Sequence, residues 1–269
     1  DSYLDLLVGT VGNDLILFLN NTMGDFTRQT VELPEFESLA IYGTPITDID
    51  EDGDLDIYVS TYRSSSISNR DKSNLRFVMK FEDGKQIIKS IIDVKTKNEY
   101  NKNRFYIHNG QVLESGTPDY LLLNNGLGGF EITSIGDYSS QSNSKQRFGE
   151  LNWGLGAIFG DINNDFRDDL YVCNDLNGAD YIYYGSNNGF KNAASKLNYK
   201  TPVFSMGVDI ADINNDGFSD FVVVDMLNYR LAERKMQIPF SSSLYNTDNH
   251  EGSMLSRGDQ TAQSTQRLS

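Results

Sequence analysis

Asp48-Ile-Asp-Glu-Asp-Gly-Asp-Leu-Asp56, Asp161-Ile-Asn-Asn-Asp-Phe-Arg-Asp-Asp169 and Asp212-Ile-Asn-Asn-Asp-Gly-Phe-Ser-Asp220 share one pattern, D-x-[DN]-x-D-x-x-x-D. Each runs straight into an apolar stretch: Ile57-Tyr58-Val59, Leu170-Tyr171-Val172 and Phe221-Val222-Val223. Each has a glycine five residues before its first aspartate, at Gly43, Gly156 and Gly207. Each has isoleucine in second place, at Ile49, Ile162 and Ile213. Chance does not set such features in register three times, so the stretches are copies of one internal repeat.

The chemistry of the repeat follows from its spacing. Oxygen-bearing side chains at alternate positions of a tight loop point inward, and Ca²⁺ takes six to eight such oxygens. Side chains are expected to ligate from the first, third, fifth and ninth positions, with a backbone carbonyl from the seventh. The first loop then supplies Asp48, Asp50, Asp52, Asp54 (carbonyl) and Asp56. The second supplies Asp161, Asn163, Asp165, Arg167 (carbonyl) and Asp169. The third supplies Asp212, Asn214, Asp216, Phe218 (carbonyl) and Asp220. Without a cation these carboxylates repel one another. The sixth position calls for positive φ, which Gly53 and Gly217 provide and Phe166 does not. The 48–56 site, with four side-chain carboxylates, is therefore expected to be the tightest, and the 161–169 site the weakest or distorted. An EF-hand needs glutamate at the twelfth position and flanking helices. Here the twelfth residues are Val59, Val172 and Val223, and the flanks read as strands.

A fourth copy starts the chain. Asp1-Ser-Tyr-Leu-Asp5 followed by Leu6-Leu7-Val8 matches the end of the loop and its strand, so a further Ca²⁺ site is expected at Asp1 and Asp5. On this reading the chain is a fragment of a longer protein. After each loop comes a hairpin: Asn13–Asn21 to Phe26, Pro118–Asn125 to Phe130, and Ala179–Gly185 to Phe190. Asp161 and Asp212 stand 51 residues apart, whereas Asp48 and Asp161 stand 113 apart. The excess falls over residues 62–114, which read as an insertion. Two repeats without a metal loop between them fit that interval less well. The insertion is also the basic part of the chain. Residues 61–110 hold 11 Lys/Arg against 5 acids, and the rest holds 12 against 33. Within it, Leu75–Phe81 and Gln86–Ile92 flank Asp83-Gly84 and read as a hairpin.

These loops, their glycines and the trailing hairpins resemble the FG-GAP/VCBS repeat family, found in integrin α-subunit propellers and many secreted bacterial proteins. Trp153-Gly-Leu-Gly-Ala-Ile-Phe-Gly-Asp161, Met206-Gly-Val-Asp-Ile-Ala-Asp212 and Phe221-Val-Val-Val-Asp-Met-Leu227 resemble bacterial VCBS proteins of the ASPIC/UnbV type. The resemblance covers about residues 1–60 and 115–235. It implies an all-β fold: a β-propeller of four-stranded blades with calcium loops, here an incomplete portion of a larger ring of about seven blades. Residues 1–235 would be blades carrying the 62–114 insertion. Residues 236–269 would be a polar connection toward a further blade, after a short helix over 226–236. Calcium sites of modest affinity fill where calcium is millimolar, so an extracellular or cell-surface home is expected, secreted or associated with a bacterial outer membrane.

Composition narrows the function. The 269 residues carry a formal charge of −15, which disfavours nucleic acid as a partner because phosphate is repelled. No run is long and apolar enough to span a membrane as a helix. One cysteine, Cys173, excludes an internal disulfide framework and reads as a small core residue. His108 reads as a strand residue, His250 as an exposed polar one and Trp153 as a packing residue. Every conspicuous carboxylate has a metal role, so no catalytic constellation stands out. The leading reading is a non-enzymatic, calcium-stabilised binding or scaffolding module for protein or glycan partners, with a larger surface complex as one setting for it. The alternatives are the scaffold of a secreted polysaccharide lyase or hydrolase, and a purely structural subunit. The basic insertion reads as a solvated surface hairpin more readily than as a platform for an acidic or glycan partner.

Overall fold

The computed structural model describes residues 3–12, 14–21, 23–34, 39–64, 75–97, 99–100, 105–108, 111–135, 153–175, 179–187, 189–193, 201–202, 204–226 and 264–267. Among them every regular element is a strand. The first antiparallel sheet holds β1 (Leu6–Gly9), β2 (Asp14–Asn20) and β3 (Phe26–Glu32) in that order. The chain continues as β4 (Leu39–Gly43), β5 (Ile46–Thr47) and β6 (Asp56–Arg63). It then leaves the series. β7 (Leu75–Glu82), β8 (Lys85–Asp93) and β9 (Glu99–Tyr100) form one small sheet, and β10 (Phe105–His108) and β11 (Gln111–Glu114) another. It returns as β12 (Tyr120–Asn124) and β13 (Phe130–Ser134), completing the order β13-β12-β6-β4 with β5 also on β6. A third sheet holds β14 (Gly154–Gly160), β15 (Asp169–Asn174), β16 (Tyr181–Tyr184) and β17 (Lys191–Asn192). A fourth holds β18 (Ser205–Ala211), β19 (Asp220–Asp225) and β20 (Ser264–Arg267).

The repeat is thus a meander of short antiparallel strands, with each aspartate loop joining the first strand to the second. The expected hairpins are β2–β3, β12–β13 and β16–β17. β6 pairs directly with β12, Val59 lying opposite Tyr120, so the extra residues interrupt a single sheet. The basic hairpin is β7–β8, turning at Asp83 (φ 50°) and Gly84 (φ 74°), as a two-residue turn with both central residues left-handed requires. The helix expected over 226–236 lies outside the described residues beyond Met226. So does the connection 236–269, except for β20, which adds to β19.

Hydrophobic cores lie between successive sheets. Leu15, Val31 and Leu33 of the first meet Leu39, Ile57, Val59 and Leu122 of the second. Tyr58 and Leu121, facing the other way, meet Leu170, Val172 and Tyr183 of the third. Tyr171, Cys173 and Ile182 meet Phe221 and Val223 of the fourth. Strands β6 and β15 are therefore buried on both faces. That explains why an unbroken apolar run, rather than an alternating one, follows the first two loops. Trp153 is buried as expected, its ring 4.9 Å from that of Tyr62.

The glycines before the first two complete loops have a steric cause. The first strands of successive sheets approach one another closely. A Cβ on Gly43 would fall 2.8 Å from the carbonyl oxygen of Leu155, in the next sheet. A Cβ on Gly156 would fall 2.8 Å from Cα of Gly207. Both obstacles are backbone atoms that no rotamer change can move. Gly156→Ala is therefore expected to destabilise the fold by about 1–3 kcal/mol, read as a lowered melting temperature. Gly207→Ala, whose Cβ would meet only a Val224 methyl at 3.6 Å, is expected to be tolerated. Equal losses at both positions would contradict the close approach.

Candidate metal centres

Hydrogen bonds fold each loop in the same way. The first aspartate accepts from the backbone N–H groups of the fifth and sixth residues. For Asp48 these are Asp52 (3.1 Å) and Gly53 (3.0 Å). For Asp161 they are Asp165 (3.1 Å) and Phe166 (2.9 Å), and for Asp212 they are Asp216 (3.0 Å) and Gly217 (2.9 Å). The fifth aspartate accepts from the seventh N–H: Asp54 onto Asp52, Arg167 onto Asp165 and Phe218 onto Asp216. The fourth residue is left-handed in every loop: Glu51, Asn164 and Asn215 have φ 62°, 61° and 58°.

The ninth aspartate opens the second strand and is the deepest of the set. Asp56 and Asp169 are fully buried, and Asp220 nearly so. One oxygen of each accepts the N–H of the loop's isoleucine, at 2.8 Å for Ile49, 2.9 Å for Ile162 and 3.2 Å for Ile213. The other oxygen of Asp56 accepts from Asn124 N–H (2.7 Å), and that of Asp169 from Gly185 N–H (2.9 Å), at the end of the third strand. Asp5 accepts from Asn20 N–H (2.8 Å) in the same place, which makes it the ninth residue of the copy at the chain start. Asp1 lies outside the described residues.

In the first loop the carboxylates of Asp48, Asp50 and Asp56 each bring an oxygen within 4.8 Å of the others, an arrangement that can hold a metal ion. Asp52 and Asp54 lie on the same loop but outside that triplet. The second and third loops carry asparagine in third place, Asn163 and Asn214. Oδ1 of Asn163 is buried without a hydrogen-bond partner. Such an oxygen is costly unless something binds it. Asn174 Oδ1, at the far end of β15, is likewise without a partner, so an orphan amide alone does not make a site. Asn163 differs in lying between Asp161 and Asp165, where a hard cation fits the donor set.

The electrostatics agree. Burial pushes the Asp169 carboxyl up to about 6 against the lowering effect of its N–H bonds. Burial also raises Asp56, and burial followed by the Asp52 charge raises Asp50. A dication among these groups reverses that penalty. Phe166, in the position of Gly53 and Gly217, keeps the left-handed backbone at φ 65°, against 96° and 86° at those glycines, and is 98% exposed. The second loop is thus not distorted, and it retains the backbone strain, of about 1–3 kcal/mol for a bulky residue.

The sequence model of FG-GAP-like repeats matches residues 161–223, from the first residue of the second loop into β19. Residues 161–223 are thus similar to FG-GAP-like repeats. Comparison of the chain with curated proteins gives no match. The FG-GAP-like stretch contains two of the three complete loops, and the 48–56 loop repeats their hydrogen-bond scheme.

The structure adds a second repeated constellation that the loop motif does not announce. Tyr58, two residues after the ninth aspartate, donates its hydroxyl to Asp119 (2.7 Å), which also accepts from Thr61 N–H (2.6 Å). Tyr171 donates to Asp180 (2.7 Å), which also accepts from Asn174 N–H (2.8 Å) and from Ser205 Oγ of the next sheet (2.6 Å). In the first sheet Leu7 stands where these tyrosines stand, and Asp14 is exposed. The signal in sequence is the aspartate opening each hairpin paired with tyrosine in the strand before it. Burial drives Asp119 up to about 7 and Asp180 up to about 6.

A carboxyl whose folded pKa is raised binds protons more tightly folded than unfolded. Its favourable contribution is complete below the unfolded value near 3.8 and is lost as pH rises through the folded value. In chelator, the melting temperature is expected to rise as pH falls from about 7 toward 5, and Asp119→Asn/Asp180→Asn should flatten that slope. An unchanged slope in the double variant would show that other groups carry it.

Proposed function

We propose that the chain is an arc of a calcium-stabilised β-propeller, acting outside the cell as a non-catalytic binding or scaffolding module for protein or glycan partners. The observation that carries this reading is the convergence of Asp48, Asp50 and Asp56 in a loop whose hydrogen-bond scheme recurs at 161–169 and 212–220. The FG-GAP-like stretch supports it, as does the serial stacking of sheets through glycine-bearing first strands. The holding residues would be Asp48, Asp50, Asp52, Asp56 and the Asp54 carbonyl in the first loop. In the second they would be Asp161, Asn163, Asp165, Asp169 and the Arg167 carbonyl. In the third they would be Asp212, Asn214, Asp216, Asp220 and the Phe218 carbonyl.

Bound calcium supplies positive charge where three or four carboxylates meet. The chain's own residues do the rest. The ninth aspartate holds loop and third strand together, and the first aspartate fixes the turn. These are structural duties, which leave recognition to other surfaces. Loops of modest affinity fill where calcium is millimolar and stay empty in cytosol, which favours an extracellular setting. Among the described residues, no helix is long and apolar enough to cross a membrane.

Calcium at a hundredfold excess over its dissociation constant adds about 2.7 kcal/mol per site. The melting temperature is therefore expected to rise by several degrees on adding calcium after EDTA, and to rise less in Asp50→Ala. No shift in the unsubstituted chain would end the metal reading. Isothermal titration calorimetry is expected to find the 48–56 site tightest. Glycan and protein arrays with and without EDTA then separate recognition from scaffolding.

A further inference from the structure

The first two metal loops touch each other through residues that flank the proposed ligands. Arg167 Nη1 donates to Glu51 Oε1 in a close ion pair. Thr47 Oγ1 donates to Asp168 Oδ2. Every partner is bound in sequence to a ligand. Glu51 sits between Asp50 and Asp52, and Thr47 precedes Asp48. Arg167 offers its own carbonyl, and Asp168 precedes Asp169. The two contacts form a clasp across the sheet boundary, 116 and 121 residues apart in the chain.

The next pair of loops cannot form this clasp. By the same positions Phe218 stands for Arg167 and Ser219 for Asp168, while Asn164 stands for Glu51 and Gly160 for Thr47. Phe218 and Asn164 have no opposite charges to pair, and Gly160 has no hydroxyl.

From this difference we infer that calcium binding at 48–56 and at 161–169 is positively coupled, and that 212–220 fills independently. The inference rests on the proposed calcium reading and adds Glu51, Arg167, Thr47 and Asp168 as positioning residues. The reasoning is thermodynamic. Filling the first loop immobilises Glu51 and Thr47. They in turn hold Arg167 and Asp168, and with them the seventh carbonyl and the ninth carboxylate of the second loop. That loop then binds with part of its ordering already complete. The second loop has most to gain, because Phe166 strains it. Glu51 and Arg167 are partly solvent-exposed, so the ion pair is modest and screened by salt. With the added hydrogen bond, the coupling should be about threefold to tenfold in affinity, and equal in both directions.

Site-resolved titration of the whole chain tests this. Backbone amide signals of Gly53, Arg167 and Gly217 report the three loops during addition of calcium. Asp50→Ala, which removes an exposed ligand of the first loop, is expected to weaken binding at Arg167 about threefold to tenfold and to leave Gly217 unchanged. In the background Thr47→Val/Arg167→Gln, which keeps the carbonyl at position 167, Asp50→Ala should no longer affect the second loop. The swap Glu51→Arg/Arg167→Glu, with Thr47 intact, should restore part of the coupling, less at high salt. If Asp50→Ala leaves Arg167 binding unchanged while all three loops of the parent chain respond to calcium, the coupling is overturned and the calcium reading stands. If no amide of the parent chain responds, the calcium reading itself falls, and the coupling with it.

Discussion

A buried carboxylate at the foot of each second strand joins the parts of the repeat. Asp56 takes one N–H and Asp169 two from the start of the loop, and each takes one from the end of the third strand. Loop, second strand and third strand therefore meet on one side chain. Burying a charge there is expensive unless it is bonded on every side. Backbone donors, two on Asp56 and three on Asp169, meet part of that need, and burial still holds Asp169 up to about 6. The remaining lone pairs face the loop, toward Asp48 and Asp50 in the first copy. The same side chain thus fixes the fold and leaves an unmet electrostatic demand, which a cation suits.

At the other end of the strands a different carboxylate does the joining. Asp119 and Asp180 bind a tyrosine hydroxyl and a backbone N–H of the neighbouring strand, and Asp180 also binds Ser205 of the next sheet. Gly154, in the place of Ser205, lies against Asp119, where a Cβ would come within 3.0 Å. The two joints differ in kind. Asp119 and Asp180 have neutral hydroxyl donors and settle by holding a proton more tightly. The loop aspartates are too many and too close for protons alone to be an economical answer near neutrality.

Much of this was legible in sequence because the features are local. The loop spacing, the glycine five residues before it, the hairpins and the interval of 113 residues all lie within short stretches or simple counts. The basic hairpin was legible through Asp83-Gly84. What stayed hidden depends on contacts between distant residues. The glycine at position 156 was visible as a coincidence, but its cause, the nearness of Gly207, belongs to the stacking of sheets. Tyr58 and Asp119 are 61 residues apart, with the insertion between them, so each is visible in its own stretch but their contact is not. Phe166 was read as a source of weakness or distortion. The structure keeps the backbone and accepts the strain, because the N–H bonds to Asp161 and Asp165 hold the loop from both sides.

The insertion shows how such a repeat tolerates additions. It leaves the sheet after Arg63 and rejoins it by Tyr120, on strands that are already hydrogen-bonded neighbours. Arg63 is buried and donates to the carbonyls of Ser115 (2.7 Å) and Gly116 (2.9 Å), while Thr61 Oγ1 donates to Pro118 O (2.6 Å). The neck is therefore closed by the parent sheet itself, and what lies beyond adds only a slowly growing closure entropy. An insertion at the loop end of β6 would break the bonds of Asp56 and the gathering of carboxylates. At the opposite end it meets neither. Extra material can accumulate there while the acidic loops stay as they are, because the length of a strand separates the two.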